Sequence, residues 1–308
     1  MKTNPVFIGG LDRSGKTYMR FMLESHSEFI FSKRTNLWPK YYQKYGQLEI
    51  QENLDRCLDA LAKNKHILAL ELDYDLVRNE FLAGEKTYER LFEIIHQQYA
   101  VKQNKPFWGD QTEFLERYAT HIMSAYPNAK FIQMIRDPRD RFHAILEKSV
   151  KKHGIGVATS RWLSSAALGK KYQAKYPDQY KVIRYETMVT QPQSTMKEIC
   201  SFLGVKYEPA MIELKDIPRF MNKGSIDKMP KISPLSTDYI GKFQKYLSFD
   251  QIEFIQNLCK EEMTWLDYPL LPTKFKWTER IKYTLLFWPA NTLKMIGWQI
   301  VKDAQGGR

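Results

Sequence analysis

The segment from Pro5 to Thr17, PVFIGGLDRSGKT, constrains the fold more than any other part of the chain. Val6, Phe7 and Ile8 form a short apolar run of strand type. Tyr18, Met19, Phe21, Met22 and Leu23 recur at helical spacing, and only a glycine-rich turn separates the two. A strand, a turn and a helix in that order aim several backbone N–H groups and the positive end of a helix dipole at one point, where an anion is held. Gly10, Gly15, Lys16 and Thr17 satisfy the G-x-x-x-x-G-K-[ST] spacing of a phosphate-binding loop. The competing reading is an ordinary glycine turn capping a helix. The apolar strand before it and the amphipathic helix after it favour the phosphate site.

A phosphate loop alone leaves the transferred group open, and a second strand narrows it. Lys130 to Ile135 reads as a buried parallel strand that runs into Arg136-Asp-Pro-Arg-Asp-Arg141, with a helix predicted from about Pro138 to Ser149. A nucleoside triphosphatase needs a carboxylate at the tip of such a strand to hold magnesium. Here the tip is Arg136, whose planar fork suits a second phosphate group. Two anion sites on neighbouring strand ends predict a nucleotide phosphorylated at both ends.

Several segments in the same order resemble sulfotransferases that use 3′-phosphoadenosine-5′-phosphosulfate (PAPS). Gly10 to Thr17 is similar to that family's 5′-phosphosulfate loop, and Arg136 to Asp140 to its 3′-phosphate motif. Tyr180 to Val189, followed by Pro192 and Ile199 to Gly204, resembles its late strand, tyrosine-glutamate turn and next helix. Ile240 to Ser248 resembles the loop that closes over the 3′-phosphate. The resemblance runs from Val6 to about Cys259. It implies that Arg13, Ser14, Gly15, Lys16 and Thr17 hold the 5′-phosphosulfate end of the donor and Arg136 the 3′-phosphate. Tyr185 would lie against the adenine, with Gly241 and Lys242 approaching from the closing loop. PAPS is then the co-substrate and its bisphosphate, PAP, the product, with no metal required. The histidines are scattered without ligand spacing to cysteine or to one another.

Two departures from the family pattern stand out. The family's 3′-phosphate serine is replaced by Ala144, and Lys148, one helical turn on, is the expected cationic substitute. Relatives place a glutamate base before a threonine just after the P-loop helix, and this chain has Arg34 there, in front of Thr35. An arginine does not act as a base near neutral pH. Asp110, at the end of a short predicted strand in WGDQT, is the first alternative base. Glu71 and Asp73 follow, and His26 is a weaker candidate whose commoner role is capping a helix end. For each acid the competing role is a helix cap or surface salt bridge. Lys16 is the group expected to stabilise charge on the departing phosphate.

Between Asn36 and Lys105 the chain reads as a helical acceptor-side insertion. Leu54, Leu58 and Leu61 mark one amphipathic helix, and Tyr88, Leu91, Phe92, Ile95 and Tyr99 another. The Trp38 to Tyr45 cluster mixes aromatic and basic residues, as suits stacking on a sugar or covering an anion. A further helix is expected from about Thr159 to Tyr176, and the Pro218 to Thr237 stretch reads as a loop that orders over bound donor. The fold expected is α/β, a P-loop-type central parallel sheet flanked by helices. Residues 1–271 form the catalytic domain and 272–308 a basic, aromatic C-terminal extension, read either as a membrane-surface segment or as a helix docked on the domain or on a second subunit.

With 43% hydrophobic residues in 308, the chain is able to bury one large core, or one core and a small cap. Cys57, Cys200 and Cys259 are too few and too dispersed for a disulfide framework. Neither a signal peptide nor an apolar run of about 18 residues is apparent, so the expected location is the cytoplasm, with peripheral contact at the inner membrane surface. A net charge of +12 suits anionic ligands or surfaces, but the basic residues are spread out and no nucleic-acid module is recognisable. The function expected is transfer of a sulfuryl group from PAPS to a hydroxyl acceptor, with a glycan or a lipid-linked molecule as candidates. The alternatives are a P-loop kinase using magnesium and ATP, or a protein that binds the donor without turnover.

Overall fold

The computed structural model describes residues 4–147, 154–214, 235–272 and 277–306. Its elements in chain order are β1 (Val6–Gly9), α1 (Lys16–Glu24), β2 (Phe29–Lys33), α2 (Leu37–Tyr41), α3 (Gln51–Ala62), α4 (Lys65–Leu68), α5 (Tyr74–Leu82), α6 (Tyr88–Lys102) and β3 (Phe107–Gln111). A 3-10 turn (Leu115–Tyr118) leads to α7 (Ala119–Ala125), β4 (Lys130–Ile135), α8 (Pro138–Glu147), α9 (Ile155–Lys175), β5 (Tyr180–Arg184), α10 (Tyr185–Thr190), α11 (Pro192–Leu203) and α12 (Ala210–Glu213). After a second 3-10 turn (Thr237–Tyr239) come α13 (Phe243–Tyr246), α14 (Phe249–Trp265), α15 (Trp277–Lys282), a π-helical turn (Tyr283–Phe287) and α16 (Trp288–Gly306).

The five strands form one parallel sheet in the order β2-β3-β1-β4-β5. Along β1, Val6 pairs with Gly109 on one side and Lys130 on the other, and the connection leaving β1 runs toward β2 on one side of the sheet while that leaving β4 runs toward β5 on the other. Such a switch point opens a crevice at the carboxyl ends of the strands, and the glycine-rich turn after β1 lies at its mouth.

Alternation along the strands divides the core. Phe7 and Phe131 face one side, where they pack with Trp108, Phe92 and Leu58 beneath α3 and α6. Ile8, Ile132 and Met134 face the other, against Met19 and Met22 of α1 and Ile199 of α11. A third cluster joins Trp162 of α9 to Phe254 and Ile255 of α14 and reaches Tyr283 and Met295 in the C-terminal segment. Residues 36–105 share the first core with the sheet.

The Trp38 cluster behaves differently from the sequence expectation. Trp38 is 1% exposed, with Tyr42 and Phe92 packed around it, and Tyr41 and Tyr42 are buried too. The hydrophobic gain from enclosing these rings outweighs any use as an open stacking platform. The helix expected from Thr159 begins earlier, at Ile155. Lys148, and most of the Pro218 to Thr237 stretch, lie outside the described residues.

Candidate functional site

The turn after β1 is held open by backbone geometry that favours glycine. Gly10 has φ +112° and Gly15 φ +93°. A Cβ on Gly10 would lie 2.2 Å from the carbonyl oxygen of Met134, and one on Gly15 would lie 2.7 Å from the ring of Tyr185. α1 then starts at Lys16 behind a glycine that supplies no side-chain cap, so its first N–H groups point into the loop without a capping side chain among the described residues. Ser14 is buried and donates to the Leu11 carbonyl at 2.6 Å; Thr17 stays exposed. Lys16 is buried and folds back to donate to the same carbonyl. Burial lowers its ammonium to about 8, against the pull of Glu113, Glu116 and Asp12, which favour the charged form. A buried cation behind uncapped amides is an arrangement suited to an anion.

The tip of β4 adds the second positive group. Arg136, 6% exposed, donates to the Arg13 carbonyl at 3.3 Å and the Tyr239 carbonyl at 2.6 Å. Its guanidinium lies 4.8 Å from the centre of the Tyr185 ring. Its Nε is buried and has no partner among the described residues, a donor ready for an anion. Tyr185 therefore lies against both Gly15 and Arg136 and bridges the glycine-rich turn and the β4 tip. Neighbouring side chains lock this tip. Trp162 donates to the Arg136 carbonyl at 2.8 Å, the Asp137 N–H donates to Glu186 at 2.9 Å, and Arg139 forks onto Asp137. Asp140 accepts from the N–H groups of Gly241 and Phe243, which draws Gly241 and Lys242 to the same side as Arg136. All nine residues expected to hold the donor come from one loop, one strand tip, one helix start and one closing loop that meet at this crevice.

The candidate bases divide by burial. Asp110 is 0% exposed and accepts from Thr35 at 3.2 Å and from Thr112 at 3.4 Å; burial pushes its carboxyl up to about 7. It anchors Thr35, next to Arg34, which is exposed with φ +55°. Glu71 is exposed and pairs with Lys102, and Asp73 caps α5 by accepting from Asp75 and Leu76. Both acids thus take the structural roles weighed against catalysis. His26 accepts from the Glu28 N–H at 3.1 Å and meets the Lys206 carbonyl at 2.8 Å, a buried connector. Ala144 is half-buried on α8.

Two carboxylates were not singled out in the sequence. Glu116 is fully buried and accepts from the N–H of Gly10 at 2.7 Å, so it sets the loop from behind. Glu113 is at the rim, 44% exposed along its side chain and paired with Arg161. Its neighbours tie it to the phosphate loop, because Thr112 donates to the Ile8 carbonyl at 3.3 Å and Phe114 to the Gly10 carbonyl at 2.9 Å. No local motif marks either acid; the pairing of β3 with β1 brings them to the loop.

The profile of the sulfotransferase family matches residues 5–209. The chain is 24% identical over 257 residues to protein-tyrosine sulfotransferase 1 of Danio rerio, covering 80% of this chain and 67% of that one. It is also 24% identical over 241 residues to the protein-tyrosine sulfotransferase of Drosophila melanogaster, covering 76% and 44%. It thus spans about two thirds of the first relative and under half of the second. Among solved structures, the sulfotransferase domain of the Synechococcus PCC 7002 olefin synthase shares the fold, with a TM-score of 0.60 at 19% identity over 88% of this chain and 97% of that one.

Proposed function

The chain belongs to the sulfotransferase family, and we propose that it moves a sulfuryl group from PAPS to a hydroxyl acceptor. The observation that carries the donor assignment is Arg136, buried at a strand tip with an Nε donor that has no partner among the described residues, beside a tyrosine that also covers the glycine-rich loop. A nucleotide anionic at both ends matches two cationic positions bridged by an aromatic ring. In this reading Arg13, Ser14, Gly15, Lys16 and Thr17 receive the 5′-phosphosulfate. Arg136, Gly241 and Lys242 receive the 3′-phosphate, and Tyr185 stacks on the adenine.

Lys16 and the uncapped N–H groups of α1 supply the electrostatics. As the acceptor oxygen bonds to sulfur, the bond from sulfur to the bridging oxygen breaks and its electron pair stays on the phosphate. Lys16, buried beside the loop, stabilises that charge. The acceptor's proton passes to a carboxylate within hydrogen-bond reach. Asp110 has a suitable pKa but is enclosed, whereas Glu113 at the rim is open to an incoming hydroxyl. The proposed acceptor is a glycan or a lipid-linked hydroxyl, and the proposed setting is the cytoplasm. The three cysteines are buried and free, which suits a reducing compartment.

Calorimetry of 3′,5′-adenosine bisphosphate against magnesium ATP, on the parent and on Arg136→Ala, tests the donor assignment. Tight bisphosphate binding, weakened at least about a hundredfold in the variant, is expected. A preference for magnesium ATP that survives the substitution would overturn it in favour of a kinase.

A further inference from the structure

The C-terminal segment is docked on the domain by one face only. The carbonyl of Asn291 in α16 lies 2.2 Å from where a Cβ on Gly156 would be, so α16 rests on the first turn of α9 with glycine at the contact. Asn291 and Met295 are buried on this inner face, and Trp288 and Trp298 are half-buried alongside. Pro289, Leu293, Ile296 and Ile300 follow at spacings of four, three and four residues, which sets them together on the opposite face. Leu293 is 68% exposed and Ile300 63%, and the preceding turn adds Leu285 and Leu286 at 67% and 69%. From Tyr283 to Val301 the only charged residue is Lys294. A continuous aliphatic stripe of this kind on a folded chain marks a surface that another phase or partner covers.

We propose that this outer face docks on an anionic lipid surface, with α16 lying parallel to it. Charge decides between the occupants. Residues 272–308 hold seven basic residues against two acidic ones, and the whole chain carries +12. A second copy would bring the same excess of positive charge against itself, whereas acidic headgroups neutralise it while the aliphatic side chains enter the acyl boundary. Arg280, Lys282 and Lys294 are exposed and long enough to reach headgroups beside the stripe. No described helix is long and apolar enough to cross a membrane, so contact is along the surface. α9 links this face to the crevice. Gly156 meets α16, and Arg161 and Trp162, about one and a half turns further on, bind Glu113 and the Arg136 carbonyl. The surface contact does not depend on the reaction assigned to that crevice.

Co-sedimentation of the full chain with vesicles of phosphatidylcholine, with and without phosphatidylglycerol, tests the proposal alongside Leu293→Glu/Ile296→Glu and Lys282→Glu/Lys294→Glu. Binding to the anionic vesicles that falls with added salt is expected. The first variant should lose about tenfold in partitioning per substituted side chain, with an unchanged melting transition. The second should lose the preference for anionic vesicles. Absence of binding by the parent chain, or equal binding by the first variant, would overturn the proposal. So would a parent dimer in solution that the first variant converts to monomer, since that assigns the face to a second copy.

Discussion

The carboxylate of Asp140 accepts the backbone N–H of Gly241 at 2.6 Å, across 101 residues of chain, and takes that of Phe243 at 2.9 Å as well. One acid of the β4 tip motif thus holds the closing loop over the arginine of the same motif. Charge-assisted bonds to backbone amides are among the stronger ones available, and burial raises the cost of leaving either side unpaired.

Asp140→Ala should therefore loosen the loop at Gly241 and Phe243 and leave the Arg136 bond to the Tyr239 carbonyl as its remaining tether to the β4 tip. The expected result is bisphosphate affinity weakened about tenfold to a hundredfold and faster amide exchange at Gly241 and Phe243, with exchange in β4 unchanged. Equal protection of the two amides in parent and variant would show that the loop is held elsewhere.

Gly15→Ala and Gly10→Ala separate two kinds of strain. Alanine at Gly15 meets the Tyr185 ring and an unfavourable φ, which costs about 1–3 kcal/mol and displaces the ring from Arg136. Alanine at Gly10 meets the Met134 backbone, which has no rotamer to move. Thermal melts should show the larger loss at Gly10, and Tyr185→Ala should recover part of the loss only at Gly15.

Lys16 makes donor affinity depend on alkaline pH. In the free protein burial lowers its pKa to about 8, and a bound anion raises it again. Binding then takes up a proton above pH 8, so affinity is flat below that pH and falls by up to about tenfold per unit above it. Titration calorimetry in buffers of different ionisation enthalpy measures the uptake directly. Lys16→Met should abolish both the uptake and the slope.

Asp110 bears on stability rather than on affinity, and here too the quantity falls as pH rises. Burial pushes its folded carboxyl up to about 7, above the ordinary aspartate value of 3.8, so between these values the folded state keeps a proton that the unfolded state has lost. Stability from this group is present below pH 4 and declines as pH rises to 7. Asp110→Asn cannot make that loss. Denaturant titrations should show the variant gaining on the parent between pH 4 and 7, by on the order of a few kcal/mol.

Glu113→Gln tests the rim acid in two independent ways. If Glu113 takes the acceptor's proton, kcat falls about a hundredfold to ten-thousandfold while bisphosphate affinity near pH 7 changes little. Because Glu113 favours the charged form of Lys16, its neutralisation should also move the alkaline fall in donor affinity to lower pH. A shifted affinity profile with full turnover would keep Glu113 as a neighbour of Lys16 and assign the base elsewhere.

The glycine-rich turn after β1, the Arg136 strand tip and the Tyr185 turn were legible in the chain because each is a local pattern. A glycine spacing, an apolar run or a proline at a helix start imposes its geometry within a dozen residues, whatever surrounds it. What the surroundings decide is which face of a strand or helix is enclosed. Asp110 and Trp38 look available in the sequence and are fully buried, because β3 pairs with both β1 and β2 and the α6 face closes over the aromatic cluster. Glu113 and Glu116 look unremarkable and reach the phosphate loop, because the same pairing lays the end of β3 beside Gly10. The C-terminal segment reads as basic and aromatic throughout, yet only its docking on α9 separates a buried face from an exposed one. Local chemistry is written in residue order; exposure, and with it the role of each acid, follows from long-range contacts that residue order does not contain.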